Sequence, residues 1–309
     1  MTKTLDIWQV EAFLADRYGA EVSALTSVGR GEWSQAFAFD HQGRGYVVRF
    51  GAHRDDFERD RFAARFAGPA LPVPQVVDLG EALGGYYAIS ERMPGGYIDM
   101  ADEAQMRALL PALFAMLDAM RSADLSQTRG YGGVDGAGNA WCSTWQEMLL
   151  SVAEDSPEDR TGGWRARLAT SAVGSEPFDL AYARLEALAG DLPAARHLIH
   201  NDLLHFNVLV QGDRISGVLD WGCAMAGDFL YDLALISFWQ PWYPAWQRID
   251  FVAEARRHYA AIGLDVPGFD QRLRCCQLHI GLAGMAYQAY AGHWDDLEAT
   301  ARRTLAIAD

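Results

Sequence analysis

Residues 197–221 read HLIHNDLLHFNVLVQGDRISGVLDW. An apolar run leads into His200, Asp202 follows after one residue, and Asn207 comes five residues after Asp202. Two apolar runs, Asn207 to Val210 and Ile215 to Leu219, then flank Gly212-Asp213, the pattern of a short β-hairpin. A hairpin returns the chain to where it began, so Asp220 is brought back beside Asn207. An amide oxygen and a carboxylate then converge as hard oxygen donors, which suits magnesium. Asp202 sits on the same loop, where it can face the hydroxyl of an acceptor while the metal holds phosphates. That is the division of labour of phosphoryl transfer. A single Asp or Asn at a hairpin is most simply a turn residue; the joint pattern is what points to chemistry. His200 reads as structural, a side chain that ties the loop's own backbone.

The chain before this stretch has two textures. Residues 4–18 have helical spacing, and short β-like runs follow at 24–28, 33–39, 46–50, 76–79 and 86–93. Helical spacing returns at 54–67 and is ended by Pro69, Pro72 and Pro74. The first 93 residues therefore predict an antiparallel sheet with one helix inserted after its third strand. Pro94-Gly95-Gly96 marks a boundary. Beyond it the pattern is helical at roughly 101–121, 143–154, 178–190, 228–239, 246–262, 268–291 and 294–307, with a Gly-rich loop between 122 and 143 and the hairpin as the single β element. The expected fold is α+β and bilobal, with a small antiparallel β-sheet lobe (residues 1–93) carrying one inserted helix and a larger, mainly helical lobe (residues 94–309). The cleft between them is the expected place for a ligand.

Composition narrows the function. The 309 residues suggest about two domains or two lobes, and a chain 50% hydrophobic and 22% charged folds rather than staying disordered. Acids number 41 against 26 bases, a net charge of −15. Such a chain is a poor binder of phosphate backbones and is suited to a cationic small molecule, so nucleic acid is not an expected partner. One of the 26 basic residues is lysine, Lys3. A Schiff-base lysine inside the fold and a G-x-x-x-x-G-K-[ST] phosphate loop are both excluded. Cys142, Cys223, Cys275 and Cys276 form no C-x-x-C pair, so no zinc site is expected, and the adjacent pair on one helix does not bridge. The start MTKTLDIWQ has no basic segment followed by an apolar run, and no stretch reaches 18 apolar residues. The expectation is a cytoplasmic, monomeric protein with no membrane partner.

The N-terminal region fits a nucleotide. Ser27-Val28-Gly29-Arg30-Gly31-Glu32-Trp33-Ser34 lies between two predicted strands, where Gly29 and Gly31 let the backbone approach phosphates and Ser34 adds a hydroxyl. By itself this segment is equally well a plain hairpin turn. The next strand holds Arg49 between apolar residues, a cation in want of an anionic partner. The helix after it offers Glu58 and Asp60 to orient that cation.

These residues resemble the aminoglycoside phosphotransferase family, a branch of the protein-kinase-like fold, and within it the branch that acts on hygromycin B. The resemblance runs over nearly the whole chain, through GEWSQAFAFDHQGRGYVVRF (31–50), LPVPQVVDLGE (71–81), ADLSQTRGYG (123–132), HNDLLHFNVLV (200–210) and LDWGCAMAGDFLYDLALISFWQPW (219–242). It implies that Asp202 is the catalytic base and that Asn207 and Asp220 hold Mg2+. It implies that Arg49 and its partner Asp60 serve the phosphates of ATP or GTP with Gly29, Gly31 and Ser34, and that Glu91 to Met93 form the hinge that reads the base. Asp228 and Asp232 match a motif that braces the helical region. The implied acceptor is an aminocyclitol antibiotic, hygromycin B first among them. Three residues depart from the resemblance: Cys223 stands where that branch carries an acidic residue, and His205 and Phe206 fill the catalytic loop where smaller polar residues are usual.

A polycationic acceptor needs carboxylates for its ammonium groups and aromatic surface for its sugar faces. Candidates are Glu147, Glu154, Asp155, Asp295, Asp296 and Glu298, with Trp141, Trp145, Trp239 and Trp242, although surface acids and core tryptophans are the commoner state of such residues. The alternatives are a housekeeping kinase acting on choline, homoserine or a sugar, and a nucleotide-binding module without turnover. A metal-dependent phosphohydrolase would need more ligands than His200 to Asp220 supply.

Overall fold

A computed structural model describes residues 4–308 of the chain; Lys3 lies outside them. Five strands open it: β1 (Val22–Arg30), β2 (Ser34–His41), β3 (Arg44–Gly51), β4 (Val76–Ala82) and β5 (Gly85–Glu91), all antiparallel in the order β1-β2-β3-β5-β4. α1 (Ile7–Tyr18) covers one face of this sheet. Its Val10, Phe13 and Leu14 join Phe37, Phe39, Val48, Phe50 and Tyr87 in a small core, with Phe13 edge-on to Phe50 and Tyr87 at 5.4 and 4.8 Å. α2 (Arg54–Ala63) follows the third strand, as the pattern predicts. Its Phe62, together with Leu71 and Val73, packs into the larger core of the helical region. The backbone also joins there, where the Val218 N–H donates to the Pro72 carbonyl at 2.8 Å.

The helical region contains α3 (Glu103–Arg121), α4 (Trp145–Leu150), α5 (Trp164–Thr170), α6 (Glu176–Leu188), α7 (Leu230–Trp239), α8 (Phe251–Ala261), α9 (Phe269–Ala291) and α10 (Trp294–Ala308). α5 is absent from the sequence reading. It is seven residues long and starts at a left-handed Gly163, φ +88°, which reads as loop. The Asp155 carboxylate accepts the Gly163 and Arg165 N–H groups at its start.

The expectation of a single hairpin is corrected. Two three-stranded sheets stand among the helices. One has β6 (Gly96–Tyr97), β9 (Val208–Gln211) and β10 (Arg214–Val218) in the order β10-β9-β6; the other has β7 (Gly132–Gly133), β8 (His197–Ile199) and β11 (Met225–Gly227) in the order β7-β11-β8. Strands of two or three residues carry no alternation long enough to read. They matter because β8 and β9 are the two ends of the loop 200–207.

The loop rests on α7, whose residues from Leu230 to Phe238 are all buried. Asp228 accepts the Leu230 N–H at 3.1 Å at the start of this helix. Its two oxygens also take the Arg272 guanidinium of α9 at 2.7 and 2.8 Å. Asp228 and Arg272 are both buried, at 1% and 7% exposure. Replacing Arg272 by Met leaves that carboxylate inside the core without its counter-charge. We expect a loss of about 3–5 kcal/mol in urea unfolding, and an unchanged unfolding midpoint would refute the pairing as a structural tie.

Candidate active site

The chain between β8 and β9 turns in a way that no helix or strand allows. Asn201, His205 and Phe206 have φ of +65°, +62° and +69°. Non-glycine residues held in this region cost of the order of 1–3 kcal/mol each and persist only where the surroundings over-determine them. Here the surroundings are carboxylates. Asp232, 1% exposed on α7, accepts the N–H of His200 and of Asn201, both at 2.9 Å. Burial pushes the Asp232 pKa up, and His200 with the two N–H donors opposes it. His200 completes the turn from inside. Its Nδ1 accepts the Asp202 N–H at 3.2 Å and its Nε2 donates to the Leu219 carbonyl at 2.8 Å. The structural reading of His200 is therefore the observed one.

Asp202 stands at the apex with both oxygens occupied. Oδ1 accepts from His205 Nδ1 at 3.0 Å and Oδ2 from Asn207 Nδ2 at 2.9 Å. The same Asn207 amide nitrogen donates to the Asp202 carbonyl at 2.7 Å. The hydrogen bond to Asp202 holds the His205 pKa above its ordinary value, against desolvation. The sequence reading missed Asp99, which follows β6. Its Oδ1 accepts the His205 N–H at 2.9 Å, its Oδ2 the Phe206 N–H at 3.0 Å, and its Oδ1 also the Tyr243 hydroxyl at 2.9 Å. Asp99 lies more than a hundred residues before this loop, and no spacing or motif points to it.

The hairpin does what its sequence requires. β9 and β10 pair from Val208 opposite Val218 to Gln211 opposite Arg214, and the Leu219 N–H donates to the Asn207 carbonyl at 2.7 Å. Asp220, left-handed at φ +57°, follows at once. Arg49 of β3 reaches across to it, with Nη1 3.2 Å from Asp220 Oδ1. The other arm of Arg49 pairs with Asp60 of α2, and the guanidinium lies over the Phe57 ring at 5.2 Å. Asp60 Oδ1 accepts the Trp221 N–H at 2.8 Å. Burial in the cleft pushes the Asp220 pKa up, but Arg49, with His200 and the Gly222 N–H, outweighs it and the net shift is downward. Glu58, the other acid offered for Arg49, pairs instead with Arg54 at 2.8 Å.

These groups open on a cavity of about 680 Å³ between the sheet and the helical region. Gly29, Gly31, Ser34, Arg49 and Asp60 line its sheet side, Glu91 and Met93 its connecting edge, and Asn207, Asp220 and Trp221 its far side. A Cβ at Gly29 would meet nothing within 4 Å, and one at Gly31 only the Ser34 carbonyl at 3.8 Å. Neither position has the positive φ that would demand glycine. The space in front of both is therefore not used by the protein.

The donor set fits magnesium. With the Asn207 amide nitrogen spent on Asp202, its amide oxygen is left for a ligand in the cavity that Asp220 also lines. Among the described residues no group of three or more His, Cys, Asp or Glu side chains is placed to hold a metal. A hard cation here would therefore take the rest of its oxygen shell from phosphates and water.

The acceptor candidates separate. Trp145 is core, at 2% exposure. Glu147 accepts the Ser143 N–H at 2.6 Å and Glu298 pairs with Arg302. Asp155 caps α5, as above, while Asp295 and Asp296 open α10. Trp239 meets the His205 ring edge-on at 6.4 Å, and Trp242 packs edge-on against Trp239 at 5.0 Å. The Cys223 thiol pKa is pushed up to about 12 by desolvation and by the neighbouring Asp202, Asp220 and Asp56, which disfavours its thiolate. Arg160 was also missed. It joins Asp56 at 3.0 Å and Asp55 at 3.1 Å on α2, beneath the Trp33 ring.

The chain is similar to known proteins over most of its length. The model of the phosphotransferase enzyme family matches residues 25–266. Hygromycin-B 4-O-kinase of Escherichia coli is 36% identical over 291 residues, 93% of this chain and 81% of that protein. The crystal structure of aminoglycoside phosphotransferase APH(4)-Ia superposes with a TM-score of 0.85 at 34% identity, covering 98% of both chains. A thermostable mutant of it, in ternary complex with AMP-PNP and hygromycin B, superposes at 0.83 and 34% identity over 97% of this chain and 98% of that one. A putative fructosamine-3-kinase from Haemophilus somnus shares the fold at 16% identity and a TM-score of 0.65, over 97% of each chain.

The bond pattern around Asp232 makes a structural prediction. Asp232→Asn can accept only one of the two N–H groups and turns its amide hydrogens toward the other. We expect a loss of about 1–3 kcal/mol in unfolding free energy. Amide hydrogen exchange should rise at His200 and Asn201, and exchange at the wild-type rate would contradict this role.

Proposed function

The chain belongs to the phosphotransferase enzyme family and is an aminoglycoside kinase; we propose that it transfers the γ-phosphoryl group of ATP to a hydroxyl of hygromycin B, with Asp202 as the base. The observation that carries this reading is the Asp202 carboxylate, held on both oxygens by His205 and Asn207, two residues that line the same cavity as Arg49, Asp60 and Asp220. The resemblance to Hygromycin-B 4-O-kinase and to APH(4)-Ia supports the acceptor.

Residues 1–93 would form the nucleotide lobe and residues 94–309 the catalytic and acceptor lobe. Gly29 and Gly31 would let the backbone close on the phosphates, with the Ser34 hydroxyl as a further donor. Arg49 would leave Asp220 for the phosphates while Asp60 keeps its other arm in place. The Glu91 and Arg92 N–H groups are already given to the carbonyls of Gln75 and Gly45. The Glu91 carbonyl and Met93 N–H would therefore read the edge of the base. Asn207 and Asp220 would hold magnesium, which when bound spreads the charge of the phosphate oxygens. Asp202 would accept the proton of the acceptor hydroxyl as it attacks. The net charge of −15 would draw a polycation toward the cleft and raise its on-rate.

An ADP-release assay with MgATP against hygromycin B, other aminoglycosides, choline and homoserine tests the acceptor. Turnover of hygromycin B is expected, and turnover of choline or homoserine alone would replace the acceptor assignment. Asp202→Ala should lower kcat by about 10²–10⁴-fold with nucleotide affinity retained, because the base is not a phosphate ligand. Loss of nucleotide binding without loss of kcat would contradict that role. Asp220→Ala should abolish the magnesium dependence of nucleotide binding, read by titrating nucleotide with and without the metal; an unchanged dependence would remove Asp220 from the ligand set.

A further inference from the structure

We propose that Asp99 and His205 together position the catalytic base. Asp99 fixes the left-handed pair His205–Phe206, and His205 in turn fixes the Asp202 carboxylate. The proposal rests on the reading of Asp202 as the base.

The carboxylate of a base must present one lone pair along the line of the departing proton, and rotation about its Cβ–Cγ bond removes that alignment. Asn207 Nδ2 holds one oxygen of Asp202 at 2.9 Å. A single contact still leaves the carboxylate free to pivot. The second contact, from His205 Nδ1 to Oδ1 at 3.0 Å, stops the pivot. His205 makes it from a left-handed backbone, a conformation uncommon for any residue but glycine.

What holds that conformation is Asp99. It accepts the N–H of His205 and of Phe206 on separate oxygens. Asp99 itself is held by the Tyr243 hydroxyl, and the Tyr243 ring stacks on Trp246 at 4.4 Å and 8°. Trp246 is anchored by its Nε1–H to the Ala101 carbonyl at 2.9 Å. The support therefore runs from the segment after β6, through one carboxylate, to the base. His205 is 60% exposed, so packing alone does not fix its ring.

Four variants test this: Asp99→Asn, His205→Gly, His205→Asn and the double variant Asp99→Asn with His205→Gly. Each is measured for kcat, nucleotide affinity and thermal midpoint, with Asp202→Ala alongside. The acceptor is the one the wild type turns over, or water where no antibiotic is turned over. Asp99→Asn should lose about tenfold to a hundredfold in kcat with nucleotide affinity unchanged. His205→Gly should lose as much, although glycine accepts the left-handed backbone. His205→Asn, whose amide can donate to Asp202 and which tolerates that backbone, should recover part of the loss. The double variant should lose no more than His205→Gly alone, because Asp99 acts through the imidazole. Wild-type kcat in Asp99→Asn or His205→Gly overturns the proposal, and so does a double variant that loses the product of the two single effects. If Asp99→Asn does not fold, the comparison of His205→Gly with His205→Asn decides. An active Asp202→Ala strikes the assignment of the base instead, which separates the two failures.

Discussion

Two carboxylates, Asp232 and Asp99, take up four backbone N–H groups, those of His200, Asn201, His205 and Phe206. These four N–H groups are given to side chains rather than to a helix or strand ladder, and an N–H that loses water without gaining an acceptor is costly. A carboxylate offers a separate oxygen to each of two adjacent donors, and when ionised it binds them more strongly than an amide. The loop's shape thus depends on acids supplied from α7 on one side and from the segment after β6 on the other. Asp202 and Asn207 inherit their positions from that shape. The hairpin then returns Asp220 to them by ordinary strand pairing.

The same economy joins the sheet to the helical region. α2 meets the helical region through Asp55, Asp56, Arg59 and Asp60. Arg59 donates to the carbonyls of Val134 and Gly222, Arg160 closes on Asp55 and Asp56, and Asp60 receives the Trp221 N–H. Tyr287 of α9 bonds Glu32 in the turn between β1 and β2. Exposed ion pairs contribute little singly. These are half-sheltered and share partners, so that moving α2 would break several at once. The turn between β1 and β2, beside Gly29, Gly31 and Ser34, is thereby tied to the helical region that supports the Asp202 loop.

Much of this was legible in the sequence because it is local. The hairpin, its turn and the return of Asp220 follow from twenty-five consecutive residues. The five-stranded sheet and its inserted helix follow from apolar runs cut by glycine and proline, and Asp60 lies where a helix after β3 must place it. The illegible parts have no local signal. β7, β8 and β11 are too short to alternate, yet they frame the loop. Asp99 and Arg160 meet their partners only after the chain has folded back across more than a hundred residues. Asp155 and Glu147, read as candidates for a cationic ligand, serve helix starts. An acid's role is set by the nearest donor, which composition does not reveal.

Arg49 shows how one residue type shapes the site. A lysine at this position would offer one compact ammonium with freely rotating donors. Arginine is a planar fork whose two arms reach different partners, and here they reach Asp60 and Asp220, 160 residues apart in the chain. The flat face lies on Phe57, a contact that an ammonium makes less well. The charge therefore stays in place when one of its two acids is taken up elsewhere, because Asp60 and the ring still hold it. In a chain with 25 arginines and one lysine, a cation that must bridge two carboxylates and keep its position when one is released is well matched to the side chain the sequence provides.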